Sequence, residues 1–164
     1  MTTKTIYLLT LLFLTCGQNS AENKSVETES RFSLTISTYN HAEQIFNGTL
    51  SYELTGNFLT ISSRALFSVK DTILLRKPVN ASSMNQIQNI SLDSLNDFYF
   101  NNCVALTSGN EYYILTTNDT VKRTIHLHHY YIDQIEMLIN ELNKQIPDNL
   151  KIKYLTRETK QDCK

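Results

Sequence analysis

Residues 111–147 constrain the fold more than any other stretch of this chain. Glu111 to Thr117 and Thr120 to Tyr130 are rich in β-branched and aromatic residues and flank Asn118-Asp119, residue types that close a two-residue hairpin. Ile132, Ile135, Leu138, Ile139, Leu142 and Ile146 then recur at three- and four-residue spacing, which predicts an amphipathic helix halted by Pro147. A helix with one apolar stripe must cover an apolar surface, and the hairpin before it offers one. The chain is therefore expected to lay a helix on one face of a sheet.

The rest of the domain extends that sheet. Phe32, Leu34 and Ile36 alternate with Ser33, Thr35 and Ser37, the period of a half-buried strand. Thr49 to Thr55 and Phe58 to Ser62 are two further β-rich runs about a Gly56-Asn57 turn, and Asp71 to Lys77 is a strand stopped by Pro78. Val79 to Asn89 is polar and reads as loop. Ser91 stands as a cap before Leu92, Leu95 and Phe98 at helical spacing, which predicts a short helix. Cys103 to Leu106 reads as strand-like, and Leu150, Ile152 and Tyr154 as a last short strand. The expected class is α+β: an antiparallel sheet of about five to seven strands with one long C-terminal helix and one short helix. The order of pairing is left open.

The N-terminus has a different character. Lys4 is the only charge before Glu22, and Ile6 to Leu14 is apolar except for Thr10, the form of a secretory signal peptide. The run is shorter than the roughly 20 residues a membrane-spanning helix needs. Gly17 to Ser30 is polar and aperiodic and reads as a flexible tether. The expected organisation is a signal peptide over 1–15, a tether over 16–30 and a single α+β domain over 31–164.

Phe13-Leu14-Thr15-Cys16-Gly17 resembles the lipobox of bacterial lipoproteins, with Phe13 where Leu is usual and Thr15 where Gly, Ala or Ser is usual. That resemblance implies that Cys16 becomes the first mature residue and carries acyl chains, palmitate among them, that hold the protein to a membrane of the cell envelope. A composition heavy in Asn, Ile, Lys, Thr and Tyr with no Trp is similar to that of small lipoproteins of low-GC Gram-negative bacteria. Cleavage at Ser20-Ala21 would instead release a soluble secreted protein. Asn47, Asn80, Asn89 and Asn118 each begin a glycosylation triplet, which in a eukaryotic secreted chain would mark surface loops. A chain so rich in Asn, Ser and Thr also produces such triplets by chance.

The cysteines fit the lipoprotein reading. There are three, Cys16, Cys103 and Cys163, and an odd count in an exported protein asks for a reason. With lipid on Cys16, Cys103 and Cys163 can pair in an oxidising compartment, the alternative being two separate buried thiols.

Charge and motifs bound the function. Fifteen basic against sixteen acidic residues, a net charge of −1, exclude a general nucleic-acid or polybasic membrane surface. A Gly-x-Ser-x-Gly elbow is missing, and four glycines form no phosphate-cradling loop, so no cofactor and no enzymatic activity are expected. His126 and His128 fall on one side of a strand and are a weak candidate pair for zinc or copper, needing further ligands from elsewhere. In an Asn118-Asp119 hairpin Glu111 would lie opposite His126. Tyr112, Tyr113, Tyr130 and Tyr131 cluster about the same hairpin, and those that are exposed would suit a partner-binding patch. The expected role is a non-catalytic one, partner-binding or structural, with an envelope protein as the partner; the alternative is a metal-binding protein or metal-dependent enzyme using His126 and His128.

Overall fold

The computed structural model describes residues 32–41, 48–65, 68–159, 161 and 163. The expected signal peptide and tether, with Cys16, and Asn47 lie outside these residues. Among the described residues seven strands form one sheet: β1 (Ser33–Asn40), β2 (Thr49–Thr55), β3 (Phe58–Arg64), β4 (Thr72–Pro78), β5 (Phe98–Phe100), β6 (Asn110–Asn118) and β7 (Val121–His128). Their order across the sheet is β4-β3-β2-β1-β6-β7-β5. Helix α1 (Ala81–Gln88) follows β4, helix α2 (Asp133–Asn143) follows β7, and a single 3-10 turn covers Asp148–Leu150.

Alternation places Leu34 and Ile36, Tyr52 and Leu54, Leu59 and Ile61, Tyr112 and Ile114, and Ile125 and Leu127 on one face, each at most 1% exposed. Met84 and Ile87 of α1 and Ile135, Leu138, Ile139 and Leu142 of α2 join these residues in one core cluster, so both helices cover the same face. Each fully buried aliphatic side chain contributes about 1.5–3 kcal/mol, which makes the stripe of α2 the main adhesive between helix and sheet. Asp133 and Glu136 in the first turn of α2 complement its dipole, since no side chain caps its N-terminus. Among the described residues no helix is long and apolar enough to cross a membrane.

The chain beyond α2 returns along the core face, tied down by polar side chains. The Tyr52 hydroxyl donates to the Leu150 carbonyl at 3.0 Å and the Tyr112 hydroxyl to the Lys153 carbonyl at 2.8 Å. The Asn143 carboxamide brackets Ile152, accepting from its N–H at 2.9 Å and donating to its carbonyl at 3.0 Å. The Cys103–Cys163 disulfide then closes a separation of 60 residues.

Several expectations are corrected. The sheet is mixed, not antiparallel throughout, because β5 pairs with β7 in parallel at its edge. Residues 101–109 carry the chain past β7 before β6 begins, so β7 stands between β5 and its direct successor, one parallel and one antiparallel pairing apart. The C-terminal helix is eleven residues, shorter than the apolar spacing to Ile146 implied. Ile146 is buried, but in the turn leading to Pro147. The short helix lies at Ala81–Gln88, in the stretch read as loop, where the Asn80 side chain caps the Ser83 N–H at 2.8 Å. Its composition is polar, and only Met84 and Ile87 mark a buried side. Leu92 and Leu95 are buried, but in turns rather than a helix, held by a Leu95 N–H to Leu92 carbonyl bond, and Phe98 opens β5. Cys103 to Leu106 and Leu150 to Tyr154 form no strand. The β6–β7 turn is Asp119-Thr120, with Asp119 at φ 53°, a left-handed conformation Asp tolerates. Moving the turn by one residue shifts the pairing by two, and Glu111 faces His128 rather than His126.

Candidate functional site

The face of the sheet turned away from the helices changes character from one side to the other. On β1–β3 it carries small polar residues, with Ser37 opposite Ser51 and Ser51 opposite Ser62. On β6, β7 and β5 it carries aromatic rings and imidazoles. The register sets two rows across the strands: Tyr39, Glu111, His128 and Phe100 in one, Ser37, Tyr113, His126 and Phe98 in the other. Period-two alternation produces both rows, because Tyr112, Ile125 and Leu127 occupy the core face between them.

Glu111 is the centre of the cluster. Its Oε1 accepts from Nε2 of His41, just beyond the end of β1, at 2.8 Å, and its Oε2 accepts from His126 Nε2 at 3.0 Å. The Tyr113 hydroxyl donates to the same Oε2 at 2.5 Å. Burial pushes the Glu111 carboxyl up, but the hydrogen bonds from Tyr113, His41 and His126 outweigh it and hold the group below the usual carboxylate range. Burial and the bond to Glu111 push the Tyr113 hydroxyl up to about 12, which keeps it a donor. A carboxylate held by three donors on both oxygens is poorly placed to act as a free general base.

His128 lies beside this network but outside its hydrogen bonds. It is 2% exposed, with Phe100 stacked on it at 4.9 Å between ring centroids and His41 edge-on at 6.3 Å. Neither of its ring nitrogens has a hydrogen-bond partner among the described residues. One ligand atom from each of His41, Glu111 and His128 falls within 4.8 Å of the others. His126 instead lies against Tyr113, ring centroids 4.1 Å apart and nearly parallel, with Phe98 on its other flank at 5.2 Å.

The backbone around the cluster is held from several sides. The Asn101 N–H donates to the His128 carbonyl at 3.1 Å, and the buried Asn101 side chain donates to the His129 carbonyl and accepts from the Cys103 N–H, both at 2.8 Å. His129 breaks β7 with φ 47°, and its Nδ1 accepts from the Asn110 N–H at 3.2 Å. Burial, with the neighbouring His128, lowers the His129 pKa, consistent with a neutral ring that accepts. Gly109, at φ 85°, leaves room for this ring, since a Cβ there would come within 2.8 Å of His129 Nδ1. The Gly109 carbonyl accepts from the His41 N–H at 3.1 Å and so sets the end of β1.

The residues singled out in the sequence separate into two groups. His126 and His128 do share the helix-free face, but His128 meets His41 and Glu111, whereas His126 bonds only to the far oxygen of Glu111. Of the four tyrosines, Tyr112 and Tyr131 are buried core side chains, and Tyr130 packs against the core beside Tyr99, so only Tyr113 belongs to the open face. Alternation decides this for Tyr112 and Tyr113, since adjacent strand residues point to opposite faces. Sequence reasoning missed His41 and the aromatic pair Phe98 and Phe100. His41 is distant in the chain, and β5 begins at Phe98, the last residue of a segment read as helix. Compared with known proteins, the chain matches no family model and no curated protein, so the chemistry of this face rests on its own residues.

Proposed function

We propose that this chain is exported, is held at a bacterial membrane by acyl chains on Cys16, and works by binding an envelope protein rather than by catalysis. The observation that carries the binding role is the uncovered aromatic surface on the open face, where Phe98 is 55%, Tyr113 42% and Leu115 38% exposed. Both helices lie on the opposite face, so nothing else in the described chain covers these side chains. Rigid aromatic groups on a paired sheet lose little entropy on docking and dominate the energetics of protein interfaces. A tether over residues 16–30, fully extended, would reach roughly 50 Å from the membrane, enough to present that face to a neighbouring protein.

The anchor and the face are tested apart. Intact mass of the membrane-extracted protein is expected to show an acylated N-terminal Cys16, and Cys16→Ser is expected to move the protein into the soluble fraction. A photo-crosslinking residue at Tyr113 is expected to capture a discrete envelope protein, whereas one at Met137, 57% exposed on the outer side of α2, captures none. Equal capture from both positions, or from neither, overturns the docking role. An unmodified chain starting beyond Ser20 overturns the anchor.

A further inference from the structure

We infer that His41, Glu111 and His128 form a binding site for one divalent transition-metal ion, zinc in the first place. The three residues come from the ends of three neighbouring strands: Glu111 and His128 are register partners on β6 and β7, and His41 follows the last paired residue of β1. Their ligand atoms already lie within 4.8 Å of one another, while a tetrahedral ion with bonds of about 2.0–2.2 Å holds its donors about 3.4 Å apart. Closure to that spacing falls mainly to His41, which lies beyond the last paired residue of β1 with its side chain 19% exposed.

The buried imidazole of His128 is the second, independent observation. A ring that is 2% exposed with both nitrogens unpartnered carries an uncompensated desolvation cost, which a metal–nitrogen bond would reduce by engaging one of them. His41 Nε2 and Glu111 Oε1 already face each other at 2.8 Å across one proton, and an ion entering between them takes the place of that proton. The donor set of two imidazoles and one carboxylate selects for zinc and its neighbours over calcium or magnesium, which prefer all-oxygen sites.

The surroundings orient these ligands. With Glu111 Oε1 on the ion, Oε2 remains fixed by Tyr113 and His126, the kind of outer hydrogen bonding that metal-binding carboxylates receive. His126 is thus a positioning residue, in contrast to the ligand role its spacing from His128 suggests. Three protein donors leave one position for water or for a group from a bound partner.

The test is a titration of the purified, metal-stripped protein with Zn²⁺ by calorimetry and with Co²⁺ by visible absorption. One equivalent is expected to bind, with the bands of a tetrahedral cobalt site and a rise in melting temperature. His41→Ala and Glu111→Gln are each expected to weaken zinc by about a hundredfold or more, and Tyr113→Phe by about tenfold through loss of the outer bond. His128→Ala opens a buried position and can unfold the domain, so His41→Ala and Glu111→Gln carry the test, with circular dichroism verifying their folds. Failure of the wild type to bind a stoichiometric ion, or unchanged affinity in both variants, overturns the site and leaves His128 as a stacking partner of Phe100. The titration needs no envelope partner and the crosslinking needs no metal, so either result stands alone.

Discussion

Replacing Asn143 by alanine is expected to cost about 2–4 kcal/mol, a large fraction of the roughly 5–15 kcal/mol that holds a domain of this size together. The side chain makes two hydrogen bonds to one residue, Ile152, at 2.9 and 3.0 Å, and Ile152 is only 4% exposed. Truncation removes both partners at once and leaves a buried N–H and a buried carbonyl, each costing about 1–3 kcal/mol when unsatisfied. Some relaxation toward water reduces the sum, which is why the expected value lies below the upper limit. Asn143→Asp is expected to be as damaging, because it keeps the acceptor for the Ile152 N–H but sets a second oxygen against the Ile152 carbonyl. Urea unfolding followed by circular dichroism measures the effect, with the midpoint falling by about 1–2 M for an ordinary m-value. Amide exchange adds a local readout, since the Ile152 N–H should lose its protection while Leu34 and Ile114 keep theirs relative to the new global stability. A loss below about 0.5 kcal/mol, with Ile152 still protected, would refute the reasoning and mean that the tail is held by packing alone.

Reduction of Cys103–Cys163, or Cys163→Ser, is expected to lower stability by about 4 kcal/mol from the 60-residue separation it closes, read as a fall in the urea midpoint that reductant does not deepen in the variant. Alkaline pH is expected to destabilise the domain: burial pushes Tyr52 up to about 12 and Tyr112 and Tyr154 further in the same direction. With unfolded tyrosines near about 10, the folded state binds more protons above that pH, so stability holds below it and falls as pH climbs toward 12; melts across that range check this, and Tyr52→Phe should soften the slope. Arg123→Ala is expected to cost about 1–3 kcal/mol and to expose the amides of residues 92–100, because its guanidinium donates to the Leu92 and Leu95 carbonyls and holds that segment against β7.

The parts of the fold that were legible in the sequence are those where periodicity and turn chemistry agree. β2, β3 and β4 lie within two residues of the runs marked for them, β1 runs three residues past the alternation that ended at Ser37, and Gly56, at φ 59°, closes the hairpin where Gly56-Asn57 stood. The misreadings cluster where a segment's structure depends on distant partners. Leu92, Leu95 and Phe98 have helical spacing, but the carbonyls of Leu92 and Leu95 are taken by Arg123, some thirty residues on, and Phe98 pairs with His126. Helix α1 is the converse case. With little apolar surface of its own, it is held by the Asn80 cap and by contacts such as Gln145 to Ser83 at 2.9 Å, which link it to the chain after α2.

The candidate site was half legible for the same reason. Its local component, two histidines on one side of a strand, follows from a period of two and is present. Its non-local component depends on register. Moving the β6–β7 turn from Asn118-Asp119 to Asp119-Thr120 changes the residue opposite Glu111 from His126 to His128, and Tyr113 then stands opposite His126. His41 enters only because β1 inserts between β2 and β6, bringing it 2.8 Å from a residue 70 positions later. No spacing rule in a single sequence encodes that adjacency, because local periodicity marks a strand but not its neighbour. The side chains that make the cluster distinctive are a pinned carboxylate and a buried imidazole with no partner. Both are consequences of strand order, and the zinc titration is therefore also a test of the register that placed them together.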